Sequence, residues 1–325
     1  MVEPPFIQLE NVTKIFGKNL VLNNVNLNIS YKEIFGIIGK SGSGKTTLLS
    51  VLIGFLKPER GRVLFQSRNI KNDEKDIRQQ FGFTAQAGSF YPKLTVKENL
   101  EYFGTMYNLS ISEIQDKIPE LLKLVDMEGK EEVVSSKLSS GMQKRLDIAC
   151  GIIHDPKVLI LDEPTEDLDP VLRRDLLNLL KKINKEKEVT IIITSHLLTE
   201  MENFCTKLAI IHNRTILAQG SVNELKDKYS TNMEIILETA SAKYGNLINL
   251  IKRRKDVEKV TTRYNKLVIY TKNPESVLKE ILAIKKDKLI DLDINKPSLN
   301  EVFENLITAK KEENVQNIRD NKKES

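Results

Sequence analysis

The glycine-rich segment from Gly39 to Thr46, with the sequence GKSGSGKT, constrains the fold of this chain more than any other feature. It follows an apolar run at residues 34–38 and precedes a segment with helical spacing. A strand, a tight glycine loop and a helix in this order let backbone N–H groups surround phosphate oxygens, and the helix N-terminus adds its positive dipole. A glycine-rich turn with an exposed lysine is the alternative. The pattern predicts a phosphate site in which Lys45 neutralises β- and γ-phosphates and the Thr46 hydroxyl coordinates Mg²⁺.

The segments around this loop indicate an α/β core. Short β-rich runs occupy residues 6–9 and 21–29, and residues 158–161 and 190–194 are two fully apolar strands separated by a predicted helix at residues 170–185. Near-continuous apolar strands are typical of a parallel sheet that is buried on both faces. Residues 96–154 instead have apolar spacings of three and four, which predicts a helical insertion.

A second domain is predicted from about residue 225. Strands at residues 234–238, 266–271 and 289–294 alternate there with helices at residues 244–253, 274–284 and 298–309. We therefore expect a first domain at residues 1–224, a small α+β domain at residues 225–309, and a polar, disordered tail at residues 310–325. The basic run at residues 252–255 fits a solvated helix face, although acidic lipid headgroups or a partner are alternatives.

Composition excludes several classes of protein. With 40% apolar and 29% charged residues over 325 positions, the chain is predicted to be globular, and its charge-free runs fall well short of the roughly 20 apolar residues that cross a bilayer. The start of the chain lacks the features of a secretory signal, so the cytoplasm is the expected compartment. The 50 basic and 45 acidic residues are mixed along the chain, and no nucleic-acid partner is expected. Cys150 and Cys205 are expected to be buried free thiols.

Two further motifs point to a class of protein. Residues 138–145 read LSSGMQKR, and residues 158–165 read VLILDEPT. Together with the glycine loop, a glutamine at position 86 and a histidine at position 196, they follow one another in the order typical of the ABC ATPase family, which residues 6–224 resemble. The resemblance implies a P-loop fold with a mixed sheet core, an N-terminal β-subdomain and a helical subdomain. It also implies binding and hydrolysis of ATP with Mg²⁺.

The family motifs assign roles residue by residue. Glu163 would be the general base, His196 would bond the γ-phosphate, and Phe16 would stack on adenine, although a phenylalanine of the core is the alternative for Phe16. The implied catalytic set is Glu163, His196, Gln86 and Lys45. The implied metal ligands are Thr46, Gln86 and Asp162. The implied nucleotide-binding set is Phe16, Gly39, Lys40, Ser41, Gly42, Ser43, Gly44, Lys45, Thr46, Thr47, Ser139 and Gly141.

The family resemblance implies that the signature segment acts across a dimer. Ser139 and the backbone of Gly141 would contact the γ-phosphate held by a second ATPase subunit, at the start of a helix. Three residues depart from the family pattern. Ser140 and Asp167 stand where glycine is usual, and Met142 stands where the family often has glutamine. If position 140 needs a positive φ, serine there costs about 1 to 2 kcal/mol.

Residues 91–100 are similar to a segment of exporter-type ATPases that are separate subunits and bind a multi-span membrane permease on another chain. Residues 297–303 are similar to the end of the accessory domain of multidrug and polysaccharide export ATPases. We therefore expect a peripheral subunit on the inner face of the cell membrane. The alternative is an ABC ATPase that does mechanical work on a ribosome or nucleic-acid complex without a permease.

Overall fold

The computed structural model describes residues 4–72, 74–229, 232–283, 288–296 and 298–308. The chain divides into two compact units, Met1–Gly220 and Ser221–Ser325. This division falls a few residues before the expected boundary at residue 225. The helix at Val222–Tyr229 belongs to the second unit, because Asp227 pairs with Lys296 at 2.6 Å and Asn305 donates to the carbonyl of Tyr229. The segment at residues 310–325 lies outside the described residues.

The first unit contains two sheets. Its strands are β1 (Ile7–Phe16), β2 (Asn19–Ile29), β3 (Ile34–Ile38), β4 (Arg60–Phe65), β5 (Arg68–Asn69), β6 (Phe81–Thr84), β7 (Val158–Leu161), β8 (Thr190–Ser195), β9 (Lys207–His212) and β10 (Thr215–Ser221). The smaller sheet has the order β2-β1-β4-β5 and is antiparallel. The six-stranded sheet has the order β10-β9-β3-β8-β7-β6, and β9, β3, β8, β7 and β6 run parallel.

The helices of the first unit are α1 (Lys45–Leu52), α2 (Glu74–Arg78), α3 (Val96–Met106), α4 (Ile111–Leu124), α5 (Ser140–Ile152), α6 (Pro170–Lys187) and α7 (Leu198–Phe204). Capping boxes begin α3 and α4. The side chains of Thr95 and Ser110 accept the backbone amides of Glu98 and Glu113, and the side chains of these two glutamates accept the backbone amides of Thr95 and Ser110 in return. Such boxes satisfy amides that the helix itself leaves unpaired. The segment predicted as a helical insertion is accordingly made of α3, α4, a 3₁₀ turn at Ser135–Lys137 and α5.

Strands β3, β7 and β8 are buried along their whole length, as their apolar sequences predict. Their side chains join those of the smaller sheet and of α1 in one hydrophobic cluster that includes Phe35, Phe65 and Leu48. Because these three strands are parallel, their carboxyl ends lie at one edge of the sheet. The loops that follow them begin at residues 39, 162 and 196, so the sheet places three of the predicted motifs side by side.

The second unit is built around an antiparallel sheet of order β12-β13-β11-β14. Its strands are β11 (Met233–Thr239), β12 (Val257–Arg263), β13 (Lys266–Thr271) and β14 (Leu289–Asn295); its helices are α8 (Val222–Tyr229), α9 (Gly245–Ile251), α10 (Pro274–Ala283) and α11 (299–308). Ile235, Leu267 and Ile269 lie in its own core. Edge strand β12 was not predicted, because its partly exposed, polar sequence has no continuous apolar run.

The basic run at residues 252–255 is only in part a solvated face. Arg254 is paired with Asp256 at 2.6 Å and with Glu280, and it donates to Ser276. Its guanidinium therefore fixes the end of α9 against α10, and the solvated face predicted for the run is wrong at this position.

Cys150 and Cys205 are buried free thiols, as predicted. Burial raises the pKa of both, so neither is a ready thiolate. None of the helices in the described part of the chain has the length and apolarity needed to cross a bilayer.

Candidate active site

The phosphate loop joins the end of β3 to the first residue of α1, Lys45. Two glycines are required by geometry. A Cβ on Gly39 would lie 2.5 Å from the carbonyl oxygen of Ile211, and Gly44 has a φ of +105°, which side chains rarely adopt. Ser43 donates its amide to the carbonyl of Lys40 at 3.1 Å and so closes the loop. The chain thus turns sharply at the point where a helix begins.

The Lys45 ammonium lies inside this turn. It donates to the carbonyls of Gly39 at 2.8 Å and Lys40 at 3.3 Å, and it forms an ion pair of 2.9 Å with Glu163 Oε1. Only 6% of Lys45 is exposed. Beside it, Ser43 Oγ is buried and has no hydrogen-bond partner within the described residues. By contrast, Lys40, Ser41, Gly42 and Thr46 are exposed, and Thr47 is half-buried.

Asp162 and Glu163 follow β7 directly, and one threonine of β8 fixes both. Thr194 Oγ1 donates to Asp162 Oδ1 at 2.5 Å and accepts from the Glu163 amide at 2.9 Å. Both acidic residues are buried. Sequence reasoning missed Thr194, although its position near the end of an apolar strand beside β7 was a usable signal.

Glu163 connects the phosphate loop to His196. Its Oε2 lies 2.6 Å from His196 Nδ1, while its Oε1 is the partner of Lys45. Burial tends to raise the pKa of this carboxyl, but the hydrogen bonds from Lys45 and His196 outweigh it and hold the pKa below its ordinary value. Glu163 also has a φ of 49°, in the left-handed region. Such strained backbone is common at functional sites.

Gln86 is held from two sides by residues that the sequence did not single out. Its side-chain amide donates to Glu166, and its backbone carbonyl accepts from Lys144 of α5 at 3.0 Å. Ligand atoms of Glu166, Glu163 and His196 lie within 4.8 Å of one another, so Glu166 links Gln86 to the centre of the site. Asp147, also on α5, accepts the Ser89 amide at 2.6 Å. No sequence motif marked these three contacts.

Ser139 and Gly141 lie at the N-terminus of α5, where Ser139 is the N-cap and accepts weakly from the Met142 amide at 3.4 Å. Leu172 of α6 packs against Gly141, where an added Cβ would lie 3.2 Å from it. Among the described residues, no hydrogen bond or ion pair joins Ser139 or Gly141 to the phosphate loop of the same chain. The fold therefore does not bring the signature into this half of the site.

The two departures from the family glycines differ in backbone conformation. Ser140 is the first residue of α5 and does not have a positive φ, so the strain considered for serine at this position is absent. Asp167 has a φ of 62°, which is the region that favours glycine. The unusual residue with a backbone cost is therefore Asp167.

Phe16 ends β1, and 46% of it is exposed. The alternative of a core phenylalanine is therefore wrong. Its exposed ring belongs to the smaller sheet of the first unit.

Comparison with known proteins fits this geometry. A family model described as ABC transporter matches residues 22–166. A Nod factor export ATP-binding protein I from a Rhizobium species is 31% identical over 91% of this chain and 95% of its own length. The linearmycin resistance ATP-binding protein LnrL of Bacillus subtilis is 29% identical over 92% of this chain and 97% of its own length.

A dimeric structure of a bacterial ABC transporter cassette is 30% identical and superposes with a TM-score of 0.60, covering 66% of this chain and 98% of the cassette. The alternative of an ATPase that acts on ribosomes or nucleic acid gains no support from these relatives. The chain belongs to the ABC transporter family as an ATP-binding subunit, an ATPase coupled to transport.

Proposed function

We propose that this chain binds and hydrolyses MgATP to drive an export transporter, and that it works as one of two ATPase subunits on a membrane permease. The observation that carries the proposal is the convergence of Lys45, Glu163 and His196, joined by contacts of 2.9 and 2.6 Å, at the ends of parallel strands. A cation, a carboxylate and an imidazole in this arrangement suit phosphoryl transfer to water.

The nucleotide phosphates would lie in the glycine loop. Lys45 supplies a buried positive charge, and the first turn of α1 supplies backbone N–H groups. The orphaned Ser43 hydroxyl supports this placement, because a buried polar atom without a partner is costly unless a ligand satisfies it. Phe16 would stack on the adenine base.

Thr46, Gln86 and Asp162 would hold Mg²⁺. A hydroxyl, an amide oxygen and a carboxylate are the hard oxygen ligands that this ion prefers. The bond from Thr194 fixes the Asp162 carboxylate in one orientation. When bound, the ion would neutralise negative charge on the phosphates.

Glu163 would act as the general base. A water oxygen forms a bond to the γ-phosphorus while the bond to the β–γ bridging oxygen breaks, and the Glu163 carboxylate takes the water proton. The products are ADP and inorganic phosphate. His196 would donate to a γ-phosphate oxygen and keep it oriented. To act on the water, the Glu163 carboxylate must give up its ion pair with Lys45. Bound phosphates would favour this exchange, because they compete with Glu163 for the Lys45 ammonium.

A second subunit would complete the site. The signature residues Ser139 and Gly141 begin α5 but make no bond to their own phosphate loop, which suits contact with a nucleotide bound by another copy. ATP held between two subunits would convert binding energy into closure, and hydrolysis would reopen the dimer. The dimeric cassette similar to this chain supports the arrangement.

An apolar groove on the first unit suits a permease. Its volume is about 200 Å³, and its lining includes Phe55, Phe83, Phe103 and Met106. Phe55 is 59% exposed and Met106 is 62% exposed. Large exposed apolar side chains that cluster mark interaction sites. Export, rather than uptake, is supported by the Nod factor and linearmycin relatives, which match more than nine-tenths of the chain.

The test is co-purification from detergent-solubilised membranes with the membrane protein encoded beside the gene. We expect the two proteins to elute together, and we expect Phe55→Glu or Met106→Glu to separate them. Ile111→Glu is the matched control, because Ile111 is 69% exposed but does not line the groove. Recovery of the chain in the soluble fraction alone, with no membrane partner, would overturn the export assignment.

A further inference from the structure

Glu59 holds the end of β1 through two oxygens. Its Oε1 accepts from the Lys14 ammonium at 2.8 Å, and its Oε2 accepts from the Ile15 amide at 2.7 Å. The Glu59 amide in turn donates to the carbonyl of Thr13 at 2.9 Å. The loop that carries Glu59 is thus bonded to the three residues that precede Phe16.

Lys14 connects this anchor to the Phe16 ring. Its ammonium lies 5.1 Å from the ring centroid, within the range of a cation–π contact. It also donates to the carbonyl of Lys57 at 2.7 Å, and only 8% of Lys14 is exposed. A cation therefore lies against the Phe16 ring while nearly half of that residue is open to solvent.

The strand ladder does not by itself fix this ring. The register between β1 and β2 shifts on both sides of Lys14, between Val12 and Lys14 and again between Lys14 and Ile15. Such irregularities turn a strand and re-aim the next side chain. The Glu59 carboxylate bonds to Lys14 and Ile15, the two residues between which the second shift falls. These bonds therefore set the direction in which the Phe16 side chain leaves the strand.

The charge of Glu59 is needed for this arrangement. A nearly buried ammonium is stable only when it is paired, and without its carboxylate Lys14 would turn towards water and leave the ring. The hydrogen bond from Lys14 lowers the pKa of Glu59, so the pairing favours the charged carboxylate. The cation withdraws electron density from the ring and favours stacking with the electron-rich face of a purine.

We propose that Glu59, acting through Lys14, is a positioning residue that aims Phe16 at the adenine base and so favours ATP over ligands without a base. The proposal rests on the adenine contact of Phe16 given under the proposed function. Within the described residues, the hydrogen bonds of Glu59 go to Thr13, Lys14 and Ile15 and none goes to the phosphate loop, so its effect should be confined to the base end of the nucleotide.

The test compares ATP with inorganic tripolyphosphate, which has the phosphates but no base, by calorimetry on the full chain. Glu59→Gln is expected to weaken ATP binding roughly threefold to tenfold and to leave tripolyphosphate binding unchanged. Glu10→Gln is the matched control, because Glu10 lies on β1, the strand that ends in Phe16, but pairs with Arg62 at 2.6 Å and not with Lys14. Equal weakening of both ligands, or no weakening of ATP, overturns the proposal.

Phe16→Ala separates this proposal from the one on which it rests. If Glu59 acts through the ring, Glu59→Gln adds nothing to ATP binding in the Phe16→Ala chain. An additive effect in that chain overturns the positioning role. If Phe16→Ala weakens ATP but Glu59→Gln does not, only the role of Glu59 is overturned. If Phe16→Ala leaves ATP binding unchanged, the adenine contact itself is wrong.

Discussion

Lys45 Nζ lies 2.9 Å from Glu163 Oε1, and both residues are more than nine-tenths buried. The cation that would bind the phosphates and the carboxylate that would activate water are therefore partners of each other. A γ-phosphate that reaches Lys45 competes with Glu163 for the same ammonium. Nucleotide binding at Lys45 and the release of the Glu163 carboxylate from Lys45 are thus linked by one ion pair.

Glu163→Gln tests this link. The amide keeps the shape of the side chain but cannot take a proton, so hydrolysis should fall by about 10²- to 10⁴-fold. Because the amide also binds Lys45 less strongly than the carboxylate, ATP should bind at least as tightly as to the unmodified chain. Phosphate release and ATP titration measure the two effects, and gel filtration with ATP should show a stable dimer.

Glu188→Gln is the control for this change, since Glu188 is exposed and pairs with Lys32 at 2.7 Å. It should leave hydrolysis unchanged. Hydrolysis by Glu163→Gln at the original rate would remove Glu163 from the role of base.

Thr194→Val should damage both stability and hydrolysis. The valine keeps the volume of threonine but leaves the buried Asp162 without its donor and the Glu163 amide without its acceptor. Each orphaned group costs about 1 to 3 kcal/mol, so the free energy of unfolding should fall by at least that much. Urea unfolding and steady-state hydrolysis measure the loss. Thr194→Ser retains the hydroxyl and should stay close to the original chain; equal behaviour of the two variants would contradict this role.

Motif order predicted the residues that converge at the candidate site, but not the residues that hold them in place. Lys45, Asp162, Glu163 and His196 follow apolar strands, and parallel strands bring their carboxyl ends together, so the sequence contains both the residue types and the reason for their meeting. Thr194 and Glu166 act through hydrogen bonds whose partners lie 32, 31 and 80 positions away in the chain. Such pairs have no local pattern, which is why sequence reasoning missed them.

The prediction of the elements shows the same division. Fully apolar strands such as β7 were found to the residue, whereas β12, at the edge of its sheet, was missed because neither of its faces is continuously apolar. Arg254 likewise appeared as one member of a basic run, and only the fold brings Glu280 to it. Periodicity reports burial, and partners across the fold are set by topology.

Asp147→Asn should change how stability depends on pH. Burial raises the pKa of the Asp147 carboxyl from 3.8 to about 6, against a smaller opposing effect of its bond from Ser89. The folded chain therefore binds the proton more tightly than the unfolded chain between these values. Stability from this group is greatest below the unfolded pKa and is lost as the pH rises through about 6.

The loss amounts to on the order of 3 kcal/mol for a shift of this size. Asparagine can still accept the Ser89 amide but does not ionise. The stability of Asp147→Asn relative to the original chain should therefore increase between pH 4 and pH 7, as urea unfolding at several pH values would show. Asp116→Asn, on the exposed face of α4, should give no such trend. Parallel curves for Asp147→Asn and the original chain would contradict the shift.

The two positions where the family usually has glycine provide a matched pair. Asp167 has a φ of 62°, whereas Ser140 is the first helical residue of α5 without a positive φ. Asp167→Gly relieves a left-handed side chain and should raise the free energy of unfolding by up to about 1 kcal/mol. Ser140→Gly relieves nothing and adds backbone freedom at a helix start, so it should lower that free energy by up to about 1 kcal/mol. Urea unfolding of the two variants tests this, because glycine is expected to raise the free energy of unfolding at position 167 and to lower it at position 140. A gain at position 140 would mean that the serine there is strained after all, and a loss at position 167 would mean that the aspartate side chain contributes more than its backbone costs.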